Sequence, residues 1–255
     1  MQAAALNGRD ALFATGRLLP PRGARPGDVH LGCEGAGIVT AVGDDVTGIL
    51  PGDRVAGITQ GGWLASHINL RADQVVKLPE QVTFAAAASL LIAQLTTHHV
   101  LGHLAGLGPG DSVLILGGSD GTGLAAIDFA RRAGSRVIVG APTPALRALL
   151  DLPGVDHVVD SGAPGFAAEV RQVTQGGVDV VLNLSSLTAD LRQRALDLLA
   201  PGGISSTSDR SPRHHRRRCT CRPWTATPPF TPSMSSAGLS SLPSRWIAAC
   251  RTCRR

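Results

Sequence analysis

The spacing of apolar positions along this chain changes near residue 84. Before it, short apolar runs sit between turn residues. Gly35-Ala36-Gly37-Ile38-Val39 leads to Ala41-Val42-Gly43 and a turn at Asp44-Asp45. Pro51-Gly52-Asp53 precedes Arg54-Val55-Ala56-Gly57, and Val75-Val76-Lys77-Leu78 closes at Pro79. Runs this short, rich in β-branched residues and punctuated by Gly, Pro and Asp, predict a small β-rich domain over residues 1–83.

From Phe84 the pattern lengthens. Ala85 to Leu107 reads as a helix that closes at Gly108-Pro109-Gly110. Strands then alternate with helices: strands at Ser112–Leu116, Arg136–Val139, His157–Val159 and Val178–Asn183, helices at Thr122–Ala133, Pro144–Leu150, Phe166–Thr174 and Thr188–Leu199. Near-continuous apolar strands alternating with helices predict an α/β fold, a Rossmann-like doubly wound parallel sheet covered on both faces, over residues 84–203. Pro201-Gly202-Gly203 should turn into a further strand, but the apolar pattern stops there. The sheet is therefore expected to be incomplete.

Composition changes this picture only at the end of the chain. The formal charge is +5, yet residues 204–255 hold ten arginines against one acid, Asp209, so the body is mildly acidic. Four of the five cysteines, Cys219, Cys221, Cys250 and Cys253, lie in the same segment. Aromatics make up 3% and there is no Tyr, which argues against base stacking on nucleic acid. Met1 to Pro20 has no secretory pattern, and the apolar run Phe84–Ala93 falls short of the roughly 20 residues a bilayer span needs. A cytoplasmic protein with no membrane partner is expected.

The candidate chemistry lies at Val113-Leu-Ile-Leu-Gly117-Gly118-Ser119-Asp120-Gly121-Thr122-Gly123. A strand feeds a glycine-rich turn, and the turn opens a helix. Glycines let backbone approach a pyrophosphate, and the helix N-terminus offers N–H donors to its charge. Gly118, Ser119, Gly121, Thr122 and Gly123 are the candidate cofactor contacts. Readers of NAD place an acid about 20 residues on to hold the ribose 2′-OH. Here that stretch is Gly140-Ala141-Pro142-Thr143, without an acid, and Arg147 follows. This favours NADPH, with Arg147 toward the 2′-phosphate or simply an exposed helix arginine.

These residues resemble the zinc-independent medium-chain dehydrogenase/reductases, specifically the enoyl reductase domains of type I polyketide synthases. Ala5-Leu6-Asn7-Gly8-Arg9-Asp10, Gly32-Cys33-Glu34-Gly35-Ala36-Gly37, Pro51-Gly52-Asp53-Arg54-Val55, Pro109-Gly110-Asp111-Ser112-Val113 and Val178-Asp179-Val180-Val181-Leu182-Asn183 carry the resemblance, which runs to about residue 203. It implies a partial GroES-like catalytic domain ahead of the nucleotide-binding one. It also implies NADPH-dependent reduction of an enoyl thioester on an acyl carrier protein, among other synthase domains. Asn7, Arg9, Asp10, Thr96 and Asn183 would line the cleft, with Asn7, Asp10 and Thr96 the catalytic candidates, and Thr143 and Ser161 would join Arg147 at the cofactor. Asn7 and Asp10 also suit a plain helix cap.

No metal is implied. Cys33 stands where zinc-dependent relatives have a histidine ligand, and reads as a small buried residue. His98 and His99 are expected to pack. A free-standing quinone oxidoreductase is the nearby alternative.

Three departures from the family bear on the cofactor. Asp120 replaces a glycine of the phosphate turn, Leu146 a basic residue, and Gly162 an arginine. The family also continues past Gly203 with a strand and a Gly-Lys-x-Asp segment, whereas Lys77 is this chain's one lysine. Residues 204–255 admit three readings: a basic tail for nucleic acid, a zinc site from Cys219, Cys221, Cys250 and Cys253, or out-of-frame translation. Shifting the frame by one base restores family-like segments, and Trp224-Thr225 and Trp246-Ile247 then each encode an Asp. The out-of-frame reading, with a disordered tail and weak or no activity, is the one expected.

Overall fold

The computed structural model describes residues 1–18, 30–185 and 188–207. The described chain divides into two compact units, the first ending in sequence at Phe84 and the second beginning at Ala85.

The first unit is a four-stranded antiparallel sheet, β1 (Ala3–Ala4), β2 (Glu34–Ile38), β3 (Arg54–Ile58) and β4 (Val75–Lys77), ordered β1-β2-β3-β4. A short helix, α1 (Gly8–Ala14), follows β1. Small residues make the pleat fit its neighbours. A Cβ at Gly35 would lie 2.3 Å from the Trp63 ring, and one at Gly57 would lie 2.8 Å from it, so the buried indole lies flush against bare backbone. Asp53 pairs with Lys77 at 2.7 Å. That pairing, with the Leu50 amide, holds the Asp53 carboxyl below the usual carboxylate range. Ala41-Val42-Gly43, expected in a strand, is irregular.

The second unit is a five-stranded sheet, parallel throughout: β5 (Ser112–Leu116), β6 (Arg136–Ala141), β7 (His157–Asp160), β8 (Val178–Asn183) and β9 (Leu199–Thr207), ordered β7-β6-β5-β8-β9. Its helices are α2 (Phe84–Thr97), α3 (Gly121–Arg132), α4 (Pro144–Leu150), α5 (Phe166–Thr174) and α6 (Ala189–Leu196). Alternation along β5 sends Val113 and Ile115 to one core with Ala126, Ile127 and Ala130 of α3. Leu114 and Leu116 go to the other, with Phe166 and Val170 of α5 and Ala195 of α6. Fully apolar strands are what a sheet covered on both faces requires.

Three sequence expectations change. The helix from Ala85 to Leu107 is α2 followed by a π-helical stretch, His98–Leu104. Phe84–Leu104 is then 21 residues with an 18-residue window of mean hydropathy 1.3, long and apolar enough to cross a bilayer by length and composition alone. The sequence excluded this on Phe84–Ala93 because polar Gln94, Thr96 and Thr97 end that run. In this fold Leu101, fully buried, ties the stretch into the core that backs β5.

The third change is a strand where none was expected. β9 continues through Ile204, Ser205, Ser206 and Thr207, which pair in parallel with Val180 to Asn183. Its ladder needs only backbone N–H and C=O, and an edge strand tolerates Ser and Thr. The remainder of the tail, including its cysteines, lies outside the described residues.

Candidate functional site

In the first unit, the chemistry gathers where α1 meets β2. Asp10 is buried, and both carboxylate oxygens are in use: the Asn7 amide donates to Oδ2 at 2.8 Å and the Gly32 amide to Oδ1 at 2.7 Å. Gly32 has φ +84, and a Cβ there would lie 2.7 Å from the Leu64 amide nitrogen, so only glycine fits this approach. Asp10 therefore caps α1 and ties it to the turn ahead of β2. Asn7, half-buried, donates from Nδ2 to Oε1 of buried Glu34 at 2.9 Å. A carboxylate acceptor fixes the amide's orientation. Arg9 stacks on Phe13, 5.1 Å from the ring centroid. Cys33 lies beside this cluster, and burial, reinforced by Asp10 and Glu34, pushes its thiol pKa up.

In the second unit the strand order reverses direction between β5 and β8, and ligands of open parallel sheets bind at the carboxyl ends of strands on either side of such a point. Gly117, at φ +86, ends β5 there; a Cβ on it would stand 2.8 Å from the Ser185 Cβ. Leu184 donates its amide to the Leu116 carbonyl at 2.8 Å, joining the two strand ends. Gly123 packs on the turn so closely that a Cβ would sit 2.4 Å from the Gly118 Cα, whereas Gly121 faces open space. Gly118 is buried, Ser119 exposed and Thr122 half-buried. Asn183 is 3% exposed. Its Oδ1 accepts from the Ser185 amide and hydroxyl, and its Nδ2 has no partner. A buried donor left unpaired costs stability, so this amide has hydrogen-bonding capacity to offer an acceptor.

Thr96 is half-buried, while its neighbour Thr97 is 1% exposed and makes the long 3.5 Å contact to the Thr122 carbonyl. Adjacent threonines on a helix point about 100° apart, and the sequence alone does not say which one faces the turn. The histidines pack as expected: His98 edge-on to Phe129 at 5.8 Å, and His99 stacked on His103 at 5.7 Å. Farther along the carboxyl edge, the Thr143 hydroxyl caps α4 through the Leu146 amide, and Ser161 is buried. Arg147 pairs with Asp160 at 2.9 Å and donates to the Ala141 carbonyl. Residues 140–143, the stretch where an NAD reader carries its acid, hold none, and a Cβ at Gly140 would meet the end of the Leu116 side chain at 2.4 Å. Asp120 is the cap of α3, its Oδ1 accepting from the Gly123 amide at 2.8 Å.

Shape and orphan donor both fit a dinucleotide. Gly117, Gly121, Gly123 and Asn183 would hold it along the carboxyl edge. Among the described residues no group of three or more His, Cys, Asp or Glu is placed to hold a metal ion.

Known proteins agree with this architecture. The alcohol dehydrogenase GroES-like domain family matches residues 1–80, and the zinc-binding dehydrogenase family matches residues 121–207. The chain is thus an enoyl-reductase-like domain of the medium-chain dehydrogenase/reductase superfamily. Within that class it resembles the enoyl reductase domains of polyketide synthases. It is 41% identical over 207 residues to erythronolide synthase EryA2 of Saccharopolyspora erythraea, covering 80% of this chain and 6% of that one. Among solved structures, JamJ enoyl reductase superposes with a TM-score of 0.75 at 34% identity, covering 82% of this chain and 65% of that one. Mycobacterial Rv1454c complexed with NADPH superposes with a TM-score of 0.70 at 32% identity, covering 81% and 63%. The chain therefore spans a small fraction of the curated synthase and under two thirds of each of these structures.

Proposed function

We propose that this chain is built for NADPH-dependent reduction of an enoyl thioester carried on an acyl carrier protein, within a synthase. The observation that carries the reading is the glycine turn at the sheet's reversal point, with the buried Asn183 amide unpaired beside it. A nicotinamide held there would supply the hydride for the substrate's β-carbon, with a proton from solvent completing the reduction at the α-carbon. The chain's own residues bind and orient. The amides of the Gly117–Gly123 turn and the start of α3 take the pyrophosphate, and Asn183 Nδ2 donates to an acceptor of the bound dinucleotide. Thr143, Arg147 and Ser161 would flank the 2′-phosphate, and residues 140–143 carry no acid to select NADH.

In the first unit, Asn7 presents an amide fixed by Glu34, and both oxygens of Asp10 are engaged in tying α1 to the Asn7 and Gly32 amides. Thr96 remains the hydroxyl candidate. Lys77, held by Asp53, is no substitute for the lysine of the family's Gly-Lys-x-Asp segment. Turnover is therefore slow.

The test is oxidation of NADPH by the purified chain with crotonyl-pantetheine. Turnover that depends on the thioester, slower than in an intact enoyl reductase domain, is expected. Reduction of a free quinone with none of the thioester would replace this reading with a quinone oxidoreductase. A rate equal to an intact domain would refute the slow-turnover part.

A further inference from the structure

Two carboxylates along the carboxyl edge of the sheet engage the donors assigned above to a dinucleotide's phosphates. Asp120 caps α3, and its Oδ1 takes the Gly123 amide at 2.8 Å. That amide is one of the unsatisfied first-turn donors that a bound pyrophosphate uses, and the helix macrodipole that would favour the phosphate already faces a carboxylate. Two anions cannot share one donor. Either the Asp120 side chain leaves, uncapping a twelve-residue helix, or the pyrophosphate sits against a like charge. Asp120 has φ −98 and ψ 175, ordinary extended backbone, so nothing in the turn demands its replacement by glycine.

Asp160 repeats the arrangement at the end of β7. Its Oδ2 pairs with Arg147 at 2.9 Å and its Oδ1 accepts from the Gly162 amide at 2.9 Å. Asp160 stands in register with Ala141, at the carboxyl end of β6. Arg147, the cation on offer to a 2′-phosphate, is thus neutralised from within, and positions 146 and 162 hold Leu and Gly. Arginine–carboxylate pairs are charge-assisted and directional, so a phosphate must compete with a preformed partner.

We propose that Asp120 and Asp160 act as built-in competitors for the phosphate donors, so that the chain holds nicotinamide dinucleotides weakly and prefers the 2′-phosphate less than an unpaired Arg147 would allow. This rests on the dinucleotide reading above, and it makes two carboxylates the determinants of affinity and cofactor choice.

The two act on different phosphates, which separates them experimentally. Calorimetric titration of the full-length chain with NADPH, NADH and 2′,5′-ADP is compared for the wild type, Asp120→Asn, Asp120→Ser and Asp160→Asn, with a melting midpoint for each variant. Asn and Ser keep a neutral cap on α3. Both Asp120 variants should tighten NADPH and NADH by the same factor, about tenfold, because both ligands carry the pyrophosphate. Asp160→Asn should tighten NADPH and 2′,5′-ADP about fivefold and leave NADH unchanged. Folded variants that bind all three ligands as the wild type does would overturn the proposal alone. So would an Asp160→Asn gain shared equally by NADH. Absence of binding to every folded variant would overturn the dinucleotide reading, and this proposal with it.

Discussion

At the residue scale, the first unit shows how one side chain's surroundings decide its chemistry. Cys33 sits beside two buried carboxylates, and burial first, then the charge of Asp10, disfavours the thiolate. A thiol whose pKa is raised stays protonated through neutral pH, and the thiolate is the nucleophile and metal ligand. Cys33 is therefore expected to resist alkylation by iodoacetamide at neutral pH in the folded chain and to react once denaturant is added. Peptide mass mapping distinguishes it from the chain's other cysteines, and fast labelling of Cys33 in the folded state would contradict its burial. The sequence named Asn7 and Asp10 together, and the capping alternative holds for both, Asn7 as the N-cap of α1 and Asp10 as acceptor of its backbone amide. What the sequence did not contain was Glu34 as the amide's partner, since 27 residues separate the two and only the sheet brings them together.

At the element scale, two glycines of one turn carry opposite demands. Gly123 begins the buried side of α3, and a Cβ there would sit 2.4 Å from the Gly118 Cα, a contact with backbone that no side-chain motion relieves. Gly123→Ala should destabilise the second unit by about 3 kcal/mol or more, as overpacking against rigid neighbours does. Gly121→Ala points its methyl into open space in the first helical turn, and should leave stability within about 1 kcal/mol or raise it slightly. Urea midpoints of the two variants check the pair, and equal midpoints would show that the turn opens freely.

Sequence spacing identified this turn because a strand and a helix flank it, and β5, α4, α5 and β8 begin and end where their apolar patterns do. It failed where an element owes its existence to a neighbour. α1 is a seven-residue helix fixed by Asp10 and its tie to Gly32, and it disappears among the turns of a β-rich segment. The π-helical stretch His98–Leu104 is indistinguishable by composition from the α-helix it extends.

At the scale of the whole molecule, the question is where the parallel sheet ends. Its apolar pattern stops at Leu199, but its hydrogen-bonded ladder does not: Ile204 to Thr207 pair with Val180 to Asn183, and Leu199 packs against the Phe166 and Val170 core. Without β9, the strand that carries Asn183 becomes an exposed edge, and unpaired strand edges invite association with other chains. The family match also ends at residue 207. A chain cut after Thr207 should therefore keep the far-ultraviolet dichroism and melting midpoint of the second unit. A chain cut after Leu198 loses the partly buried Leu199, worth about 1 kcal/mol, and the β8–β9 hydrogen bonds, worth about 1 kcal/mol each. It should melt well below the longer form or aggregate, with Asn183 on a free edge and dinucleotide binding lost. If both truncations melt alike, the polar strand contributes nothing and the sheet closes at β8, as the apolar pattern alone implied. If the cut after Thr207 is as damaging as the cut after Leu198, residues beyond 207 belong to the fold, and the out-of-frame reading of that segment loses its support.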